Sequence, residues 1–327
     1  MIKLVYPEFW SKSGVLSYLL MPFSWIYIFL GSFRKFFVKP VRLANMVICV
    51  GNISVGGTGK TQIVSWLARQ LTGKKINFLI VTKGYGSSLR GAKYIEKTDL
   101  ASEVGDESIL LKGYGPVLAA KNIKAALPVL EKIKPDVIIF DDGLQNPGFI
   151  KDFNILTIDA DRAVGNGRIF PAGPLRENVE SAISKADIIT MVGNQICQDI
   201  FLINNIISSD KPFFKAKIKL SSKVDLGKKY YAFTAIGNPD RFYDLLEENG
   251  LTLVKTKSFP DHHNYTCKEI NILKKYAKKH NYSLITTKKD YVKILDGSQI
   301  VCANVELDFE YEKKLSGLIY EELRKKG

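Results

Sequence analysis

The sequence predicts an α/β protein in which a domain with a parallel sheet is followed by a second, smaller α/β domain. Short, continuously apolar runs alternate with helical patterns along most of the chain, which is typical of parallel sheets covered on both faces. One of the first apolar runs ends in a glycine-rich turn that opens a helix. The 327 residues are enough for two domains.

The N-terminal part of the chain contains an uncharged, mostly apolar run at residues 13–33. Pro22 interrupts this run, Ser17 and Ser24 dilute it, and its aromatic residues lie in the middle instead of at the two ends. These features favour a helix that lies in a membrane interface over a helix that spans the bilayer or is buried in the core. We therefore predict that residues 1–40 form a membrane-associated helical segment. Basic residues that would face anionic headgroups follow the run: Arg34, Lys35, Lys39 and Arg42.

The rest of the chain is organised around residues 45–61, where a buried strand leads into a glycine-rich turn and then into a helix. This order predicts a P-loop NTPase-like domain, because glycines let backbone N–H groups approach a phosphate and the helix N-terminus adds positive charge. Lys60 would reach the β- and γ-phosphates, and the Thr61 hydroxyl would bind Mg²⁺. Ser54 stands where the general pattern has its first glycine. The predicted nucleotide-binding residues of this loop are Ser54, Val55, Gly56, Gly57, Thr58, Gly59, Lys60 and Thr61.

The alternation of strands and helices continues to the end of the chain. In the first domain, strands are expected at 77–82, 116–120, 136–140, 154–159 and 187–191, with a helix at 121–133. A polar stretch at 211–229 marks a boundary, so we place the P-loop core domain at 41–212 and the smaller α/β domain at 213–327. In the smaller domain, strands are expected at 231–236, 251–258, 283–287 and 300–309, and helices at 240–249, at 266–280 and from residue 311.

Two acidic residues follow the apolar strand at 136–140. Asp141 closes this strand and should lie beside the phosphate loop, because ligands of parallel sheets gather at the carboxyl ends of strands. We predict that Asp141 holds Mg²⁺ and that Asp142 contributes to the same site by orienting a metal-bound water. The plainer alternative is an acidic turn.

Asp106 and the histidine pair His262 and His263 each have two interpretations. Asp106 follows Gly105 and could cap a helix, or it could take the proton of a hydroxyl acceptor. The two histidines lie in an Asp-His-His loop before Thr266 and are either structural or close over the nucleotide. Spacing alone leaves both questions open.

The composition indicates an anionic partner, since the net charge is +14 and the pI is about 9.4. Nucleic acid, acidic lipid and a phosphorylated substrate would all satisfy this charge. We predict no nucleic-acid partner, because the lysines form no dense block beyond pairs such as Lys274 and Lys275. The four cysteines are far apart and show no metal spacing, which suits reduced thiols in a cytoplasmic environment.

Taken together, these motifs resemble the tetraacyldisaccharide 4'-kinase family of lipid A synthesis. The resemblance runs nearly end to end, and position 54 fits it, because this family has Ser or Thr there. The ordered stretches that carry the resemblance are 51–61, 83–86, 105–107, 141–145, 170–177, 236–242, 259–266 and 287–290.

The resemblance implies a kinase that uses ATP and Mg²⁺ to phosphorylate the 4'-hydroxyl of a tetraacylated glucosamine disaccharide 1-phosphate. It further implies that this glycolipid is met at the cytoplasmic face of the inner membrane, and we expect a monomer. Asp106 would act on the acceptor hydroxyl with the help of one histidine, for which we favour His263 and retain His262. The other implied site residues are Lys60 and Thr61 for phosphates and metal, Asp141 and Asp142 for Mg²⁺, and Arg176 near the nucleotide.

The sequence departs from the family pattern at a few positions. The family tends to have Arg where Lys83 stands, His where Asn146 stands and Glu where Lys288 stands. Because Arg and Lys differ in bidentate phosphate recognition, we carry no family role over to Lys83. A role for histidine likewise does not transfer to Asn146.

Three other functions fit parts of the sequence less well. A GTP switch protein would read guanine with residues 287–290, but no Asp-x-x-Gly motif follows the strand that ends at Asp141. A membrane-bound partitioning ATPase carries Lys where Val55 stands. A nucleic-acid binder would interleave aromatic residues among its lysine pairs, which this chain does not do.

Overall fold

The computed structural model describes residues 6–44, 46–195 and 197–326, without the side chains of residues 34–36. Asn45, expected to begin the first strand, therefore lies outside the described residues. The same holds for the side chains of Arg34 and Lys35, which were expected to face headgroups.

The N-terminal segment folds as a short 3-10 helix (Glu8–Trp10), α1 (Val15–Leu19) and α2 (Met21–Phe37). Two of its serines, Ser17 and Ser24, are buried and face the rest of the protein. The Ser17 and Ser24 hydroxyls donate hydrogen bonds to the backbone carbonyls of Ala172 and Ile169, at 2.6 and 2.7 Å. The expectation that these serines only dilute an apolar run therefore needs correction, because they attach both helices to the loop around Ala172.

The opposite side of α1 and α2 is apolar and exposed, and we call it the apolar N-terminal surface. A helix buried in the core, one of the alternatives from the sequence, is not what the structure shows. Within the described ranges, no helix combines the length and the apolar character needed to cross a bilayer. The large apolar side chains of this surface, each at least 40% exposed, are Val15, Leu16, Tyr18, Leu19, Phe23, Trp25, Ile26, Tyr27, Ile28, Phe29, Leu30, Phe33 and Phe37.

The described chain forms a large sheet of nine strands: β1 (Met46–Asn52), β2 (Phe78–Thr82), β3 (Ala92–Tyr94), β4 (Val117–Ala120), β5 (Val137–Asp141), β6 (Phe153–Asp159), β7 (Ile188–Val192), β8 (Phe213–Leu220) and β13 (Val305–Phe309). Their order is β13-β8-β7-β6-β1-β5-β2-β4-β3. Neighbours run parallel except at the two edges, where β3 and β13 run antiparallel to β4 and β8. The predicted α/β class with a parallel sheet is confirmed. The strand that leads into the glycine-rich turn, β1, is buried along its whole length in the middle of the sheet.

Helices cover both faces of the large sheet, which explains why strands such as β1, β2, β5 and β7 are buried along their whole length. On one face, Trp66 packs on Phe309 with ring centres 4.9 Å apart, and its Nε1–H donates to Glu312 at 2.7 Å. On the other face, Ala126 and Leu130 join a buried cluster with residues of the central strands. The helices of this unit are α3 (Lys60–Gly73), α4 (Ala101–Val104), α5 (Asp106–Lys112), α6 (Ile123–Ile133), α7 (Val179–Lys185), α8 (Ile200–Ile207) and α12 (Glu312–Lys326).

A smaller α/β unit contains a second sheet, as the sequence predicts. Its four described strands are all parallel and lie in the order β10-β9-β11-β12, with bounds β9 (Lys229–Thr234), β10 (Thr252–Ser258), β11 (Ser283–Thr287) and β12 (Ile300–Ala303). Its helices are α9 (Pro239–Glu248), α10 (Cys267–Lys279) and α11 (Lys288–Tyr291).

The large sheet contains more of the chain than residues 41–212. Strand β8 pairs with β7, and β13 pairs with β8, so residues 213–220 and 305–309 belong to the large sheet and not to the smaller one. The predicted strand 300–309 divides at Asn304, because Ala303 packs in the core of the smaller unit whereas Leu307 packs in the core of the larger one. The chain therefore leaves the large sheet after β8 and returns to it at β13.

Candidate active site

The phosphate loop owes its shape to two glycines. Gly56 and Gly59 have φ angles of +116° and +84°, which L side chains rarely adopt, and α3 begins directly at Lys60. A Cβ atom on Gly59 would lie 2.8 Å from Cγ1 of Val192. The loop conformation therefore requires glycine at position 59, and the unpaired N–H groups at the start of α3 open onto the loop.

A neighbouring segment supports the loop through its backbone. The Val55 N–H donates to the Pro174 carbonyl, and the Arg176 N–H donates to the Ile53 carbonyl, both at 2.7 Å. The predicted nucleotide-binding residue Arg176 is thus brought beside the loop. The Thr58 hydroxyl is buried and has no hydrogen-bond partner among the described residues, so it is available to a ligand.

Asp141 ends β5 beside this loop and is buried, with 3% of its surface exposed. Its Oδ1 has no hydrogen-bond partner in the described part of the chain. Burial is the main cause that raises the pKa of Asp141 to about 8, and the negative charge of Glu107 adds to it. A buried carboxylate with one oxygen unused fits a divalent cation, which would restore its charged form.

Asp142, also predicted at the metal, lies among cations. Its carboxylate is 2.8 Å from Nη1 of Arg176, 3.8 Å from Nζ of Lys60 and 3.9 Å from Nζ of Lys83. Burial would raise the pKa of Asp142, but the charges of Lys60, Arg176 and Lys83 bring it down to about 2. Asp142 is therefore an ionised hub for three basic side chains. Over the described residues, no group of three or more His, Cys, Asp or Glu side chains could hold a metal, so Mg²⁺ would rely on few protein ligands and on phosphate oxygens.

Asp106 is the first residue of α5, and it faces a histidine of the smaller unit. Its Oδ1 accepts a hydrogen bond from the Glu107 N–H at 2.9 Å, and its Oδ2 lies 2.8 Å from Nδ1 of His262. Burial would raise the pKa of Asp106, but the hydrogen bond with His262 and the charge of Lys289 lower it to about 2. Asp106 is therefore an ionised, oriented carboxylate and more than a helix cap.

The other histidine of the loop, His263, which we favoured from the sequence, has a different setting and does not form the contact with Asp106 that His262 forms. Its Nε2 lies 3.1 and 3.2 Å from the carboxylate oxygens of Glu269, and its ring stacks on Phe259 with centres 4.9 Å apart. Glu269 also closes the capping box that Thr266 forms at the start of α10. His263 therefore stabilises the smaller unit, while His262 is the histidine that reaches Asp106.

Glu107 links the phosphate loop electrostatically to the Asp106–His262 pair. Its negative charge acts to raise the pKa of Lys60 and Asp141 at the phosphate loop, and it also acts to raise the pKa of Lys289 beside the pair. The two groups of residues are therefore neighbours, as a donor phosphate and an acceptor hydroxyl require.

Sequence reasoning missed two basic residues that connect the units. Lys289 has its Nζ 3.9 Å from Oδ2 of Asp106, and Arg241 lies 3.4 Å from Asp159 and 3.3 Å from Asp161. Both residues stand in stretches that carried the family resemblance, but the stretches alone assigned them no partner. Their contacts form only when the smaller unit lies against the larger one.

A P-loop at the head of a parallel sheet, beside a buried carboxylate and a carboxylate–histidine pair, defines a P-loop phosphotransferase. The family model described as tetraacyldisaccharide-1-P 4'-kinase (LpxK) matches residues 16–324. The chain belongs to this family, and the resemblance drawn from its motifs is confirmed.

Relatives and a solved structure agree with this assignment. The chain is 48% identical to the tetraacyldisaccharide 4'-kinase of Rickettsia bellii over the full length of both proteins. It is also 48% identical to the enzyme of that name from Rickettsia felis over 98% of each chain. A crystal structure of LpxK from Aquifex aeolicus in complex with ATP superposes with a TM-score of 0.76 at 29% identity, covering 94% of this chain and 100% of that one.

Proposed function

We propose that this chain transfers the γ-phosphoryl group of ATP to the 4'-hydroxyl of a tetraacylated glucosamine disaccharide 1-phosphate, forming the 1,4'-bisphosphorylated lipid A precursor. The observation that carries the proposal is the contact between Asp106 and His262, which gives a P-loop domain the carboxylate that a hydroxyl acceptor needs. Family membership supports the acceptor, and the ATP bound to the Aquifex aeolicus relative supports the donor.

The transfer depends on positioning and charge neutralisation more than on covalent chemistry. The N–H groups of the phosphate loop and Lys60 hold the β- and γ-phosphates of ATP. The acceptor hydroxyl donates a hydrogen bond to Asp106, and its proton passes to that carboxylate. The acceptor oxygen then bonds to the γ-phosphorus while the bond from this phosphorus to the bridging oxygen breaks, which leaves ADP. His262 keeps the Asp106 carboxylate in orientation throughout.

Asp141 and Thr61 are the residues that would hold Mg²⁺. When bound, this ion neutralises negative charge on the phosphate oxygens. Asp142 orders Arg176, Lys60 and Lys83 around the phosphates, since its carboxylate already contacts all of them. Asp141 and Asp142 would therefore have different roles, one at the metal and one among the basic side chains, instead of acting as two equivalent metal ligands.

The proposal is tested by phosphate transfer from γ-labelled ATP. Folded protein with Mg²⁺ and a lipid A disaccharide precursor in detergent micelles is expected to move label onto the glycolipid, and GTP is expected to be a much poorer donor. Folded protein that moves no label would reject the proposal. GTP hydrolysis without the acceptor would favour the switch protein instead.

The structure gives no support to guanine recognition by residues 287–290. The Asp290 carboxylate is fully buried and accepts hydrogen bonds from the Thr234 and Thr287 hydroxyls and from the Ala235 N–H, at 2.6, 2.8 and 3.0 Å. Asp290 therefore fixes the turn into α11 and is not exposed to a base.

We propose that the apolar N-terminal surface binds the cytoplasmic face of the inner membrane. An acceptor whose acyl chains remain in the bilayer can be reached only at the membrane surface. The exposed aromatic and aliphatic side chains of α1 and α2 support this role, because contiguous apolar patches of this kind mark interaction sites.

Replacing Trp25 and Phe29 together by Ser is expected to weaken binding to anionic phospholipid vesicles at least about tenfold, because each buried aromatic contributes about 1.5–3 kcal/mol. Both side chains are exposed, at 64% and 66%, so the thermal stability should not fall. Vesicle sedimentation measures the effect. Leu295→Ser is the matched control, since Leu295 is 78% exposed on the smaller unit. Unchanged sedimentation of the double variant would contradict the proposed surface.

A further inference from the structure

Lys289 approaches both members of the Asp106–His262 pair from the turn that opens α11. Its Nζ lies 3.3 Å from Nε2 of His262, 3.9 Å from Oδ2 of Asp106 and 3.6 Å from Oδ1 of Asp261. We propose that Lys289 is a positioning residue that sets the imidazole tautomer of His262 and keeps Asp106 ionised for the acceptor. The inference rests on the proposed function of this site.

The tautomer follows from what each group can donate. A lysine ammonium has only donors, so Nε2 of His262 must carry a lone pair to accept its hydrogen bond. The imidazole proton is then on Nδ1, where Nδ1–H donates to Oδ2 of Asp106 at 2.8 Å. Lys289 thereby directs the one N–H of a neutral imidazole toward the carboxylate.

Lys289 remains charged in this position. Burial would lower its pKa, but the negative charges of Asp106 and Asp261, followed by those of Glu107 and Asp290, raise it above the ordinary value of a lysine. A permanent cation 3.9 Å from Asp106 favours the carboxylate form of that residue. Lys289 itself neither gives nor takes a proton.

Lys289 is not the only charged group that faces Asp106. His262 donates the hydrogen bond, and Lys293 adds a second positive charge from the segment after α11. Lys293 is held by Asp290, with Nζ 2.8 Å from Oδ1, so much of its charge is already compensated. Asp261 and Glu107 oppose the cations. Lys289 is therefore the lysine whose removal should raise the pKa of Asp106 most.

The same anchor fixes Lys289 and His262. Asp290 binds the N–H of Ala235, and the carbonyl of Ala235 accepts the backbone N–H of His262 at 3.2 Å. Asp290 lies next to Lys289 in the chain, so one buried carboxylate sets the positions of the lysine and the histidine. Both residues then reach Asp106 across the contact between the two units.

The test uses the full chain and has a readout besides activity. The protein has three histidines, so single substitutions assign the imidazole ¹⁵N signals in NMR spectra. His262 of the unaltered protein is expected to show the Nδ1–H tautomer, and Lys289→Met should weaken this preference, because Asp106 alone then favours a proton on Nδ1. In Lys289→Met, the acid limb of kcat/KM for ATP-dependent transfer should move up by about one pH unit, because loss of a nearby cation raises the pKa of Asp106 and activity needs its ionised form.

Two further variants separate charge from structure. Lys289→Arg keeps the charge and is expected to hold the acid limb within about 0.3 unit of the unaltered protein, even if kcat falls. Lys288→Met is the matched control: Lys288 also links the units, with Nζ 3.1 Å from the Tyr114 hydroxyl, but is not part of the pair. It should leave the His262 signals and the pH profile unchanged.

Several outcomes would overturn the inference. An Nε2–H tautomer of His262 in the unaltered protein would do so without any variant having to fold. A Lys289→Met profile that superimposes on that of the unaltered protein would also reject it. Either result can occur while the unaltered protein transfers phosphate normally, so the inference can fail while the proposed function stands.

Discussion

Replacement of Asp106 by Asn is expected to lower kcat by about 10²- to 10⁴-fold while ATP affinity stays within a few-fold. Asn keeps the shape of Asp106 and can still accept the Glu107 N–H, but it carries no charge and takes no proton. ATP binding relies on the phosphate loop and not on Asp106. Single-turnover transfer of γ-label measures the first quantity, and calorimetric titration with ATP measures the second.

Asp99→Asn is the control for this substitution. Asp99 also accepts a backbone N–H, from Glu96 at 2.9 Å, and pairs with Lys93 at 2.6 Å, but on the surface and outside the site. The kcat of Asp99→Asn should stay within about twofold of that of the unaltered protein. If Asp106→Asn kept kcat within tenfold of the unaltered protein, Asp106 would have no part in proton transfer and would retain only the helix-terminus role that the sequence offered as the alternative.

The features that the sequence predicted well are local. Residues 46–73 form a buried strand, a glycine turn and an amphipathic helix in direct succession. The loop can therefore be predicted from the local sequence pattern, without knowledge of tertiary contacts. Asp141 was placed beside this loop because parallel strands end at a common edge, and β5 is the neighbour of β1. Thr266 was expected at a helix start, and it forms a capping box there.

The features that the sequence did not predict depend on contacts between distant parts of the chain. The choice between His262 and His263 is made by Asp106, which is 156 residues away from His262. Two adjacent residues point in different directions, and no pattern in the loop says which one meets the other unit. The pairing of β13 with β8 is equally non-local, because β13 follows the whole smaller unit.

The N-terminal segment shows a different limit. The lack of charge and the apolar composition identified a helical run, but the orientation of that run depends on carbonyl groups in the loop around Ala172. Those carbonyls accept the hydroxyls of Ser17 and Ser24, so the polar residues are buried and the aromatic ones exposed. A helix that buried its apolar side would have the same sequence pattern.

Replacement of Gly59 by Ala is expected to weaken ATP binding by about 10- to 100-fold, because residual strain of about 1–3 kcal/mol has to be relieved by movement of the loop. Two costs add at this position. A φ angle of +84° is unfavourable for any residue with a Cβ atom, and that atom would lie 2.8 Å from Cγ1 of Val192. Calorimetric titration with ATP measures the loss of affinity, and thermal unfolding without ATP measures the effect of the strain on the stability of the folded protein.

A double-mutant cycle with Val192→Ala separates these costs. Removal of the two Val192 methyl groups opens space for the new Cβ but leaves φ unchanged, so Gly59→Ala should cost less in the Val192→Ala background and still cost something. Gly73→Ala, at the far end of the same helix, is the control, because no atom lies within 4 Å of its added Cβ. If Gly59→Ala lowers ATP affinity equally in both backgrounds, the contact with Val192 does not limit this position. If Gly59→Ala leaves ATP affinity unchanged, the loop binds nucleotide without needing the positive φ angle at position 59. A partial recovery of ATP affinity in the Val192→Ala background would show that both the φ angle and the contact with Val192 require glycine at position 59.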